Sequence, residues 1–256
     1  MKQHCRVFLK RYRLLIVLFL FSFTSCNVGV KRANDDPISP ATIVQSESWK
    51  SNLASDSLSW IENWLDDSAR TDSLQYKYEN GSLKFWTTIG SRERPKVTHK
   101  NRDWSTGQYY WRVYVPKMGL YNMASIGAFL YHDGNHELDF EIGSGKKTVR
   151  DSVRAQDDEV VMYLTSQGFP PHQSIHPIKV ERWYDLSIRL TETEDGKYFL
   201  EWIVNDVVID SVILEYGPEI KFGIHCSLEN IQFIGDIYAT QDHYTLFESV
   251  GYQSIE

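Results

Sequence analysis

Cysteine is scarce in this chain: three residues in 256, at positions 5, 26 and 226. So few exclude a disulfide-stapled scaffold, and without a Cys pair or a His-rich tract they exclude a zinc-type cluster. Positive charge is also short, with 27 Lys and Arg against 34 Asp and Glu and a formal net charge of -7. An acidic balance of this kind argues against nucleic acid as a partner. Internal repeats, long helical periodicity and a Gly-x-Ser-x-Gly elbow are all missing, which removes solenoids, helical bundles and the usual esterase arrangement.

What is present begins with a leader. Lys2, Arg6, Lys10, Arg11 and Arg13 precede an apolar run from Leu14 to Phe23 that is too short to cross a bilayer comfortably. Phe23-Thr24-Ser25 then places small residues before Cys26. The pattern resembles a bacterial lipoprotein signal, 1–25, with Cys26 as the lipid anchor; an ordinary secretory signal with an incidental cysteine is the alternative. Loss of residues 1–25 removes five positive charges and no negative ones, taking the formal charge from -7 to -12. Asn27 is not the Asp-type inner-membrane retention signal, so the outer membrane is preferred, on its periplasmic or its surface face. Residues 26–45, with Asn34-Asp35-Asp36-Pro37 and Ser39-Pro40, read as a flexible tether.

The remainder, 46–256, is expected to form a single domain. Between Ser46 and Ser73 the spacing of Leu58, Ile61, Trp64 and Leu65 permits a helical turn or two. Short strands follow: a hairpin around Asn80-Gly81, then Tyr109 to Val115, Ser125 to Tyr131, Val160 to Thr165, Ile178 to Val180, Tyr184 to Leu190, Tyr198 to Val204, Val207 to Leu214, Ile220 to Cys226 and Ile231 to Tyr238. Many short strands with frequent turns, in a chain 42% hydrophobic and 14% aromatic, predict an all-β sandwich or barrel.

One strand stands apart. In His136-Glu137-Leu138-Asp139-Phe140-Glu141-Ile142, alternation puts three carboxyl groups on one face and three apolar side chains on the other. Like charges in a row repel, so stability alone does not favour them. A solvated strand face is the plain reading; a glycosidase, which needs two carboxyl groups of different pKa, is the chemical one. Register helps to choose between them. A loop closed by His132 and His136 pairs Leu130 with Leu138 and Ala128 with Phe140 on the core side. The same register sets Tyr131 beside Glu137, Phe129 beside Asp139 and Gly127 beside Glu141, whereas a one-residue slip inverts every face. Aromatic neighbours suit a sugar-binding cleft better than a solvated surface.

With Thr106-Gly107-Gln108-Tyr109-Tyr110-Trp111-Arg112-Val113 and Ala124 to Tyr131 upstream, the Glu-x-Asp-x-Glu strand resembles the core of family 16 glycoside hydrolases. These are the lichenase and laminarinase group of retaining endo-β-glycanases. The likeness runs from about Trp49 to Tyr238 and is supported by Trp183-Tyr184-Asp185 and by Glu201 to Asp206. It implies a concanavalin A-like jelly roll of two antiparallel sheets that cuts internal bonds of a β-glucan-like polysaccharide or oligosaccharide and acts as a monomer. It also implies Glu137 as nucleophile, Asp139 as its hydrogen-bonding neighbour and Glu141 as general acid/base. No cofactor is required; a structural calcium occurs in many relatives, and Asp236 is the candidate ligand here.

Phe129, Tyr131, His136, His225, Trp104 and Arg112 are the candidate substrate contacts. Trp104 and Arg112, like Tyr76, Trp86 and Tyr110, read equally well as core or convex surface. His132 and His136 suit turn capping as well as sugar contact. The short run from Phe222 to Glu229 leaves no room for the Trp-bearing cleft loop that many relatives have. A lectin-like glycan-binding lipoprotein of the same fold, without turnover, is the competing reading.

Overall fold

The computed structural model describes residues 48–52, 62–168 and 171–255, so the expected signal, Cys26 and the tether lie outside the described residues. Among the described residues fifteen strands form two antiparallel sheets, accompanied by one seven-residue helix and by a helical pair at Glu62 and Asn63. The first contains β1 (Ser48–Asn52), β3 (Tyr76–Glu79), β4 (Ser82–Thr87), β6 (Gly107–Val115), β11 (Arg182–Glu192), β12 (Tyr198–Val204), β13 (Val207–Ile213) and β15 (His243–Gln253). Its order is β13-β12-β11-β6-β15-β4-β3, with β1 paired to the far end of β15. The second contains β2 (Trp64–Asp66), β5 (Lys96–His99), β7 (Ala124–Asp133), β8 (His136–Gly143), β9 (Glu159–Ser166), β10 (His172–Lys179) and β14 (Gly223–Asn230), in the order β10-β9-β8-β7-β14-β5-β2. This is the expected all-β jelly-roll sandwich.

Alternation explains why these segments are strands. Along β6, Tyr109, Trp111, Val113 and Val115 are buried, while Gln108, Tyr110, Arg112 and Tyr114 face outward. Hairpins close where backbone chemistry permits: Asn80 and Gly81, like Asn205 and Asp206, take positive φ at both central positions. On β8, Leu138, Phe140 and Ile142 are fully buried between the sheets. Each stabilises the sandwich by about 1.5–3 kcal/mol, which fixes the register of the acidic strand. Two indoles of the first sheet then reach across the core. Trp202 Nε1 donates to the Asp139 carbonyl oxygen at 3.1 Å, and Trp111 Nε1 donates to that of His225 at 3.1 Å.

The β7–β8 register is the expected one: Leu130 pairs with Leu138, Phe129 with Asp139 and Gly127 with Glu141. The turn is tighter than expected, however. Asp133 pairs with His136 around Gly134-Asn135, and a bulge at His132 absorbs the extra residue. Asp133 Oδ1 accepts the Asn135 amide at 2.8 Å and lies 2.8 Å from His136 Nδ1, which holds the two-residue turn closed.

Other elements depart from the sequence reading. The expected strand from Ile231 to Tyr238 is a loop, and the last strand is β15, in which polar His243 and Thr245 occupy buried positions. Thr245 can do so because its hydroxyl donates to the Tyr114 carbonyl at 2.8 Å. The helix α1 (Lys147–Val153) was not expected, since seven residues are too few for a 3.6-residue period to show. It is held by a buried Arg150, whose guanidinium donates to the carbonyls of Ser144, Gln156 and Glu159. Trp64 and Leu65 belong to β2, and residues 53–61 lie outside the described ones.

Candidate active site

The outer face of the second sheet carries the acidic row, and strand parity assembles its surroundings. Asp139 lies opposite Phe129 on β7 and Thr165 on β9; Glu141 lies opposite Gly127 and Tyr163. Across β7, His225, Ser227 and Glu229 of β14 face Phe129, Gly127 and Ser125. On β5, Thr98 and Lys96 pair with His225 and Ser227.

The three carboxyl groups differ in what surrounds them. Glu137 accepts a hydrogen bond from Gln167 Nε2 at 2.7 Å. Burial and, less strongly, Glu229 raise its pKa, and a hydrogen bond from Asp139 and the charges of Lys96 and Arg94 work against that rise. Asp139 is 2% exposed. Burial, then the two flanking glutamates, push its pKa well above the usual carboxylate range, so it is the natural donor toward Glu137. Glu141 accepts a hydrogen bond from the Ser125 hydroxyl. Burial and the nearby Glu229 raise its pKa to about 8, with the Ser125 bond opposing them. The row therefore holds one carboxyl group supplied with donors, Glu137, and two that keep their protons at neutral pH, Asp139 and Glu141, a division of labour that suits acid catalysis beside a nucleophile.

The predicted substrate contacts separate into two groups. Phe129, Tyr131 and His225 stand on the acidic face. Phe129 stacks on His225 at 4.7 Å with 14° between their planes, and Tyr131 meets the His225 edge at 5.8 Å under the Arg102 guanidinium. Phe129 and His225 are buried in the floor, so Tyr131 is the accessible ring of the three. His225 Nε2 lies 3.2 Å from Thr98 Oγ1, and burial drops its pKa to about 3, leaving the ring neutral.

The other candidates lie elsewhere. His136 has the parity of the core residues; it binds Asp133 in the turn and meets Tyr216 edge-on at 4.7 Å. Trp104 packs against the core, between His99 at 4.7 Å and Tyr252 at 5.6 Å. Arg112 is on the outer face of the opposite sheet, paired with Asp185 at 2.8 Å and Glu248 at 2.7 Å. Asp236 accepts the Lys147 amide at 2.9 Å at the start of α1, and among the described residues no three metal-ligating side chains come together.

Glu229, Arg94, Ser125, Lys96 and Gln167 were not singled out from the sequence. Continuing the alternation from His225 to Glu229 and from Phe129 back to Ser125 would have found two of them. Arg94 and Gln167 lie outside the strands, where parity gives no signal. The wall beyond Glu141 was also missed: Tyr163 packs on Phe233 at 5.1 Å, and Phe233 comes from the loop after β14.

No known family profile and no curated protein matches the sequence. Solved structures do. A Crh5 transglycosylase superposes with a TM-score of 0.59 at 11% identity, covering 82% of this chain and 85% of its own. A Bacillus licheniformis β-glucanase does so at 0.58 and 12%, covering 83% and 100%. The laminarinase catalytic domain from Thermotoga maritima gives 0.57 and 12%, covering 81% and 98%. The chain thus has the sandwich fold of the lichenase and laminarinase group.

Proposed function

We propose that the protein is a retaining endo-β-glycanase acting on a β-glucan-like polysaccharide. The observation that carries this reading is the unequal environment of two glutamates on one strand face. Glu137, with donors from Gln167 and Asp139, is fitted to stay an anion and attack the anomeric carbon. Glu141, crowded by burial and by Glu229, is fitted to deliver a proton to the departing glycosidic oxygen. In that step the C1–O bond to the leaving sugar breaks and an ester to Glu137 forms. Water then attacks C1 while Glu141, now ionised, takes its proton; the ester breaks, and two inversions give net retention. Neither step calls for a metal or an organic cofactor. Fold likeness to β-glucanases, a laminarinase and a transglycosylase supports the substrate class, as does Tyr131 beside the acids.

The test is reducing-sugar release from a broad panel of β-glucans, galactans and xyloglucans by wild type and by Glu137→Gln. Wild type is expected to cut at least one polymer, and Glu137→Gln to lose roughly a thousandfold or more in rate while still binding it. A wild type that binds but cuts nothing would make the protein a lectin-like module. From the leader sequence we also infer a lipid anchor at Cys26 on the outer membrane. Labelling with a fatty-acid analogue that is unaffected by Cys26→Ala would refute that.

A further inference from the structure

Four carboxyl groups, not three, lie together on the acidic face, and the fourth has no part in the two-step scheme above. Glu229 on β14 is 4% exposed. It pairs across the ladder with Ser125, the residue whose hydroxyl donates to Glu141 Oε2. Arg94 Nε donates to Glu229 Oε2 from the other side. The backbone locks this arrangement. Leu228 N donates to the Pro95 carbonyl at 3.0 Å, Asn230 N to that of Glu93 at 2.9 Å, and Arg94 N to that of Ala69 at 2.9 Å. Arg94 is therefore pinned beside β14, and Glu229 cannot turn away without abandoning it.

Two glutamates on one strand are chemically identical, so something outside the strand must decide which keeps the proton. Around Glu137, the bonds from Gln167 and Asp139 and the charges of Lys96 and Arg94 favour an anion, and Glu229 opposes them. Facing Glu141 are Glu137 and Asp139 from its own strand, Ser125 from β7, Glu229 and Ser227 from β14, Arg94 and Lys96 from the β5 side, and Tyr163 from β9. Glu229 bears on both glutamates, but it is the strongest charge acting on Glu141, whereas at Glu137 Lys96 outweighs it.

We propose that Glu229, held in place by Arg94, is a positioning residue that makes Glu141 rather than Glu137 the proton-carrying member of the pair. The assignment rests on the retaining-glycanase reading for its catalytic meaning, but not for its measurement. Arg94 supplies the charge that keeps a buried Glu229 tolerable, and Ser125 fixes the Glu141 carboxyl by its hydroxyl. Replacing Glu229 removes the repulsion; replacing Ser125 removes a bond to the ionised form. The two changes push the Glu141 proton in opposite directions, which no general loosening of the site would do.

The experiment is a carbon-13 NMR titration of the Glu141 carboxyl, without substrate, in wild type, Glu229→Gln and Ser125→Ala. The midpoint is expected to fall by about one pH unit in Glu229→Gln and to rise by a comparable amount in Ser125→Ala. The alkaline limb of kcat/KM should follow in each. Midpoints that stay put, or move the same way in both, overturn the proposal. Should Glu229→Gln fail to fold with Arg94 left unpaired, the double variant Glu229→Gln, Arg94→Gln removes both partners, and its midpoint is still expected to fall because Glu229 outweighs Arg94 at Glu141. Expected midpoint shifts in a protein that cuts no glycan would refute the hydrolase reading and leave the positioning assignment standing.

Discussion

The indole of Trp202 in one sheet donates to the carbonyl oxygen of Asp139 in the other, at 3.1 Å through the middle of the core. That bond ties the central acid of β8 to a side chain with no access to solvent. A carbonyl oxygen can accept two hydrogen bonds, and without this acceptor the indole N–H would be a buried unpaired donor, at a cost of about 1–3 kcal/mol.

Trp202→Phe should therefore lower stability by about 2–4 kcal/mol, the lost bond plus a small cavity. It should also lower kcat more than it raises KM, since β8 loses its fixed height. Urea denaturation and steady-state kinetics check this. Trp111→Phe frees the His225 carbonyl instead and is expected to match the stability loss with a smaller effect on kcat. Equal kinetic losses in the two variants would mean the indoles act only as filling.

Gly127 sits directly across from Glu141, and a Cβ there would come within 2.4 Å of Ser227 Oγ and 3.2 Å of the Phe129 ring. Gly127→Ala should cost about 1–3 kcal/mol through overpacking. Adding Ser227→Ala removes the nearer atom, so the double variant should recover a large part of that loss. A thermodynamic cycle on the four proteins measures the coupling. Additive losses would show that the clash is relieved by backbone movement instead.

The Glu141 proton has a consequence for stability. Its folded pKa, about 8, lies above its ordinary 4.5. The folded state therefore holds the proton more tightly than the unfolded chain, and this contribution is complete below pH 4.5 and is lost as pH rises through 8. The loss is of the order of a few kcal/mol. Glu141→Gln cannot ionise, so it should melt close to wild type at pH 5 and clearly above it at pH 9. A constant difference in melting temperature across that range would contradict the assignment.

His225 works the other way. Burial lowers its pKa from an ordinary 6.5 to about 3. Its contribution is present above pH 6.5 and is lost as pH falls from there through 3, again by a few kcal/mol. His225→Gln retains a polar side chain beside Thr98 without this titration. Its stability should fall less steeply than that of wild type between pH 6 and 4. Parallel slopes would mean that other groups carry the acid sensitivity.

The acidic row, its apolar reverse and its aromatic neighbours were legible in the sequence because alternation and register are local. Leu138, Phe140 and Ile142 demand the core, and everything on β7 follows from them. Pairings between distant strands were not legible. Glu229 and Ser125 are separated by about a hundred positions in the chain, and nothing local links their alternation. Trp104 and Arg112 show the opposite failure: an aromatic or basic residue near the right sequence region says nothing about which face or which sheet it joins. His136 lies on the side of Leu138, Phe140 and Ile142 by plain alternation along β8, so its place was legible and its reading as a substrate contact ignored that parity. The last strand was missed because Thr245 and His243, polar by type, are buried with hydrogen-bond partners at the Tyr114 carbonyl and the Gly119 amide.

The account stands on Glu137 and Glu141 acting as a retaining pair. Proton NMR of the first products from a susceptible β-glycan, recorded before mutarotation, reads this most directly. The account predicts that the new reducing end appears as the β-anomer and only later equilibrates, and that Glu137→Gln gives no product. An α-anomer appearing first, or full activity in Glu137→Gln, would contradict it.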